Sequence, residues 1–138
     1  MGFDLSGMIS AYCDGAVSHA QRFDAQLDYS PASVELVEGV LAKLAPYNPG
    51  FWERLTGRSR NDLAKAYGYY VGDVLIRNLG GTWQVIGEFG TPSGMAIVKG
   101  DASATPIAKV LKRLSGAPED NVWAYFEALR KDYWPRDP

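Results

Sequence analysis

Reactive side chains are scarce in this chain. It has one cysteine, Cys13, and one histidine, His19. A disulfide, a structural zinc site and most thiol–imidazole or hydroxyl–imidazole catalysis are thereby excluded. Carboxylates remain. Glu35 and Glu38 stand three residues apart, on one face of any helix that contains them, with Asp28 near the start of that face. Such a pair would serve hydrolysis if a cleft raised the pKa of one member. Nothing in the neighbouring sequence suggests burial, so both read as a solvated face. Asp73 and Arg77, four apart, read as a helix ion pair. Arg54, Arg58, Arg60 and Lys65, interleaved with Trp52, are the densest local charge. They could hold a phosphate or an acidic partner, and the plainer reading is a solubilising loop. The glycines from Gly80 to Gly100 flank strands and match no phosphate loop or dinucleotide fingerprint.

The elements that must position these residues follow from periodicity. Leu5, Ile9, Tyr12, Cys13, Ala16, Ala20, Phe23 and Leu27 recur on one helical arc, predicting a helix from Leu5 to Leu27. Cys13 falls inside that arc, as a small buried hydrophobe, and His19 on its flank. Ser30 and Pro31 open a second helix whose inner stripe is Val34, Val37, Val40, Leu41 and Leu44, with Glu35, Glu38 and Lys43 outward. Residues 51–55 read as a short helix ended by Gly57.

The next helix, from a cap at Asn61 to Leu79, is unusual. Leu63, Tyr67, Tyr70, Val71 and Val74 make one face, while Tyr69 and Ile76 lie nearly opposite and Gly68 and Gly72 stand one turn apart. Apolar residues all round describe a central helix with another element packed over its glycines, or else a partner surface; the central position is preferred. Strands follow at 82–88 and 95–99 around a turn-rich Gly90–Gly94, with Lys99-Gly100-Asp101 as the exit turn. Thr105 and Pro106 begin a helix with Ile107, Val110, Leu111 and Leu114 inward and Lys109, Lys112 and Arg113 toward water. A last helix spans about Pro118 to Tyr133, with Trp123 on its flank.

With 138 residues and 46% apolar content, the chain suits one domain with a core. Fourteen Lys/Arg against 16 Asp/Glu give a net charge of −2, which argues against a general nucleic-acid binder. No apolar run is long enough for a membrane span and the N-terminus lacks a basic signal region, so a cytoplasmic protein is expected. Five Phe, four Trp and eight Tyr are generous, and Trp52, Tyr69, Trp123 and Trp134 fall outside the best core stripes. Aromatics beside charges are the composition of interfaces, although they can equally cap the edges of a core.

Leu27-Asp28-Tyr29-Ser30-Pro31-Ala32-Ser33, followed by a Val/Leu-rich helix, is similar to the opening of a group of small uncharacterised bacterial domains. Ala66-Tyr67-Gly68-Tyr69-Tyr70-Val71-Gly72-Asp73-Val74-Leu75 resembles the same group, together with Trp83, Pro106 and Lys109. The resemblance spans roughly Leu27 to Leu114 and carries no catalytic residue. Stand-alone proteins of this kind often accompany secreted antibacterial toxins, so the resemblance implies an immunity or accessory protein.

These readings combine into one expectation: a predominantly helical α+β single domain of five to six helices, with a β-hairpin or small antiparallel sheet after the central helix. It is expected to be a non-enzyme, without cofactor or metal, that binds and blocks a cognate toxin by occluding its active site. Asp28, Glu35, Glu38, Tyr69, Asp73 and Trp123 are the expected contacts, chosen for exposure combined with charge or an aromatic anchor. The alternative is a non-catalytic small-molecule or regulatory domain, with a pocket between the hairpin and the helix face of Tyr67 and Tyr70.

Overall fold

A computed structural model describes residues 4–47 and 49–136, without the side chains of residues 49, 52, 55 and 56. The chain is α+β, and everything is arranged around α4 (Arg60–Leu79). Leu63, Ala64, Tyr67, Tyr70, Val74 and Leu75 are all buried along this helix, and so is Tyr69. α1 (Leu5–Ala20) packs along one side of α4 and α5 (Pro106–Leu114) along another. The two glycines explain how neighbours come so close. A Cβ on Gly68 would lie 2.5 Å from Ile107 Cα of α5, and one on Gly72 would collide with the Trp83 ring and Ile97. The central-helix expectation therefore holds, and each glycine admits a different neighbour.

The sheet lies over Gly72. It has three antiparallel strands in the order β1 (Thr82–Val85), β2 (Met95–Lys99), β3 (Ala102–Ala104). Trp83 pairs with Ile97 and Val85 with Met95 in the first ladder, Ile97 with Ala104 in the second. The third strand was not expected, since its three small residues carry little strand signal. Lys99-Gly100-Asp101 turns the chain into it, with Gly100 at φ 59°.

Several boundaries differ from the periodic reading. The first helix stops at Ala20, and a 3₁₀ turn at Gln21–Phe23 ends on Asp24 in the left-handed region, φ 59°. Ser59, not Asn61, caps α4: its hydroxyl accepts from Asp62 N–H at 3.1 Å, while Asp62 reaches back to Ser59 N–H. The expected last helix breaks into a 3₁₀ turn, α6 (Val122–Ala128) and a wide turn at Leu129–Tyr133. Asn121 restarts it by accepting from Ala124 N–H at 2.9 Å. The wide turn swings Trp134 onto the end of α4, where its indole N–H donates to Gly80 carbonyl at 2.9 Å.

Glu38 and Arg113 are corrections. Both were read as outward-facing, and both are buried, at 8% and 9% exposure. They meet across α2 (Ser33–Leu44) and α5, Arg113 Nε to Glu38 Oε2 at 2.9 Å, and Glu38 Oε1 also accepts from Val122 N–H at 2.9 Å. Glu38 stands one helical turn from both Val34 and Leu41, at the margin of the buried stripe. Three helices close over it, and the ion pair with the backbone donor satisfies charges that water no longer reaches.

Between α1 and α2 the chain crosses α4 as an extended strap. Tyr29 adopts φ 64°, unusual for a side chain of its size. It is held on all sides. Its N–H donates to Tyr70 Oη at 2.9 Å, its carbonyl accepts from Asn78 Nδ2 at 3.2 Å, and Arg77 lies 3.6 Å above its ring. Asp28 receives both Ser30 N–H and Ser30 Oγ, and Ser30 Oγ accepts from Ser33 N–H at the start of α2. The two stretches that carry the family resemblance thus meet through Tyr70, which also bonds Ser33 Oγ at 2.7 Å.

Candidate functional site

The one cysteine and the one histidine are both buried. Cys13 is buried, and burial with the nearby Asp73 carboxylate pushes its thiol up to about 12, so it stays protonated and inert. His19 is also buried, with Nδ1 2.6 Å from Tyr67 Oη. Burial, aided by the positive charges of Arg58 and Arg22, lowers it to about 4. Its Nε2 has no hydrogen-bond partner among the described residues. No group of three His, Cys, Asp or Glu side chains that could hold a metal occurs among the described residues. No helix among them is long and apolar enough to cross a membrane.

What the fold does offer is a groove of about 590 Å³, lined by Leu5, Ser6, Ile9 and Ser10 of α1, Asp73 and Arg77 of α4, and Trp83 of β1. Its origin is geometric. α1 runs antiparallel to α4, with Tyr12 stacked on Tyr69 at 5.3 Å and His19 reaching Tyr67 nearer the other end. The sheet roofs α4 and stops at β1, so the first half of α1 lies beyond the roof. The face left open there carries Ser6 and Ser10, side chains too short to fill the space.

The electrostatics of the groove are set by Asp73 and Arg77. Arg77 Nε donates to Asp73 Oδ2 at 3.1 Å, while its guanidinium is drawn aside over the Tyr29 ring. Asp73 remains a quarter exposed, at 24%. Trp83 forms the wall: its ring packs over Gly72 and beside Tyr69, centroids 5.0 Å apart. Further along, Val85 and Ile86 are more than half exposed, at 51% and 56%, where the hairpin outruns the helices below.

The six expected contact residues do not share one surface. Asp73 lines the groove. Asp28 is exposed on the strap, its carboxyl held below the ordinary range by the Ser30 hydrogen bonds. Glu35 is exposed on α2, and Trp123 is half-buried on α6, parallel to Phe126 at 6.2 Å. α2 and α6 pack together away from the groove. Glu38 and Tyr69 are removed as contacts because both are buried, the first in its ion pair and the second, 3% exposed, between Tyr12 and Trp83. The Trp52 side chain lies outside the described residues.

The expected ligand pocket is also displaced. Tyr67 and Tyr70 are fully buried, their hydroxyls occupied by His19 and by Ser33 and Tyr29. The groove lies on the Asp73–Arg77 side of the same helix. Sequence reasoning passed over Leu5, Ser6, Ile9, Ser10, Val85 and Ile86. The available signal was the uncharged run from Thr82 to Ile86, whose apolar residues alternate only in part. Comparison with protein-family models, with curated proteins and with solved structures found no match in any of the three.

Proposed function

We propose that this chain is an immunity protein that binds a cognate antibacterial toxin and occludes its active site. The reading rests on the resemblance of the 27–33 and 66–75 stretches. The observation that carries it in the fold is the open groove beside an uncharged strand with exposed Val85 and Ile86. Apolar and aromatic surface flanked by a charge pair is the makeup of a protein interface. Asp28 and Glu35, both exposed, and the quarter-exposed Asp73 are the carboxylates carried into this reading, and on a chain of net charge −2 they would speed encounter with a basic toxin cleft. Action in the cytoplasm of the toxin-producing cell belongs to the same reading.

Co-expression with the toxin-like product of the neighbouring gene, followed by affinity capture, tests it. A stoichiometric complex that abolishes toxin activity is expected, and absence of a complex at micromolar concentrations would end the idea. The groove itself favours one second reading. Its volume falls in the ordinary range of small-molecule sites. A metabolite that raises the melting temperature without any protein partner would select that alternative.

A further inference from the structure

The free edge of β1 has a defined backbone pattern. Ile86 N–H donates to Gly94 carbonyl at 2.8 Å, and the register pairs Gln84 with Ala96 and Thr82 with Val98. Hydrogen bonding alternates along an antiparallel ladder, so Thr82, Gln84 and Ile86 bond inward to β2. Trp83 and Val85 therefore turn their N–H and carbonyl groups outward, where no partner exists among the described residues. No residue from Thr82 to Ile86 is charged, and none is proline, so the usual protections of an exposed edge are missing.

A strand placed beside β1 would occupy the space above the first half of α1. Residues opposite Trp83 and Val85 would point the same way as those side chains, into the groove. The lining there is Leu5, Ile9 and the Trp83 ring around Asp73, 24% exposed, and its ion-pair partner Arg77, 54% exposed. Beyond the Asp73–Arg77 pair, the charge that α1 brings to the groove is negative. α1 contains Asp14 and no Lys or Arg, Asp4 caps its start, and Arg77 is committed to Asp73 and Tyr29.

The geometry points to a docking lane for an extended partner segment that joins the sheet as a fourth strand next to β1, presenting apolar, basic and apolar side chains at alternate positions to the groove. Backbone bonds to Trp83 and Val85 hold the segment, and the central Lys or Arg reaches Asp73. This deepens the reading of the chain as a binding protein and rests on it.

The test uses the labelled full chain and the peptide acetyl-Thr-Val-Thr-Lys-Thr-Val-amide at millimolar concentration, followed by NMR. The Trp83 and Val85 amides are expected to shift and their hydrogen exchange to slow about tenfold, as two new ladder bonds protect them. A peptide with Glu in place of Lys, and the variant Asp73→Asn, should each weaken binding severalfold. Val85→Pro removes an outward N–H without touching the bonds to β2, and should abolish docking. Should that variant not fold, backbone N-methylation of the peptide makes the same cut from the other side. Shifts confined to another surface, no shift at all, or undiminished binding of the methylated peptide would overturn the lane. So would a dimer of the chain alone joined through β1. Toxin capture unaffected by Val85→Pro would sink the lane and leave the immunity reading standing; peptide docking on β1 with no toxin captured would do the reverse.

Discussion

The β1 edge presents four residues without a charge and two outward backbone N–H groups, and Trp83 on it lines the groove. The β3 edge is three residues long, equally without charge or proline, and has the C-terminal turn beside it. Tyr125 of α6 accepts from Thr105 N–H at 3.0 Å just beyond its end. Leu129, Tyr133 and Pro135 stand alongside Asp101, Ala102 and Ser103 around a shallow cleft of about 430 Å³. One sheet thus has a short border, guarded just beyond its end by Tyr125, and a longer border facing the groove. An unguarded border is a liability that proteins normally suppress with charge, proline or cover. Under the proposed docking, the longer border beside the groove is the one that receives a partner strand.

Glu38→Ala should give the largest break in this contrast. Its carboxylate holds both Arg113 and the first N–H of α6, the helix that delivers Tyr125 to the guarded border. Removing it strands a buried guanidinium, at a cost of about 3–5 kcal/mol read from the urea midpoint. Exchange of the α6 amides should rise with it, while β1 amides stay as they were. Equal loosening of both borders would show that the two sides are not independently held.

The next effect concerns the far end of α1 from the groove, where His19 and Tyr67 join α1 to α4. The native value of about 4 lies below the ordinary 6.5, so between these pH values the unfolded chain binds the extra proton. Stability from this group is complete above pH 6.5 and falls as pH drops toward 4, by about 3 kcal/mol in all. Urea titrations at several pH values would show this slope in the parent protein and not in His19→Gln. Persistence of the slope in the variant would place the titration elsewhere.

Tyr125→Phe should be the mildest. It deletes only the hydroxyl that accepts Thr105 N–H, a loss of about 1 kcal/mol with faster exchange at Thr105. The guarded border would then hold one more free donor, and self-association of the variant would show that Tyr125, and not strand length, keeps it from pairing.

Much of this architecture was legible in the sequence. The stripes Val34–Leu44 and Ile107–Leu114 place α2 and α5, and Gly68 with Gly72 inside an all-round apolar helix announces the centre. Glu38 and Arg113 were misread because each lies at the margin of its stripe, and they are 75 residues apart. Periodicity assigns a side chain to a face but says nothing about which distant helix will close over the margin. Tyr69 was misjudged in the same way: opposite the main stripe meant beneath Trp83 and not toward solvent. The groove was not legible at all, because it exists only where a three-stranded roof is narrower than the two helices under it.

Tyr29 carries a last consequence. Because its amide, carbonyl and ring are each fastened to α4, the connection entering α2 acts as a rivet. The strap is therefore fixed to the same helix that carries Asp73 and Arg77. With Arg77 pinned over Tyr29 by that same fastening, the guanidinium is held at one place on the groove's margin, so any docked backbone would meet it in a set position.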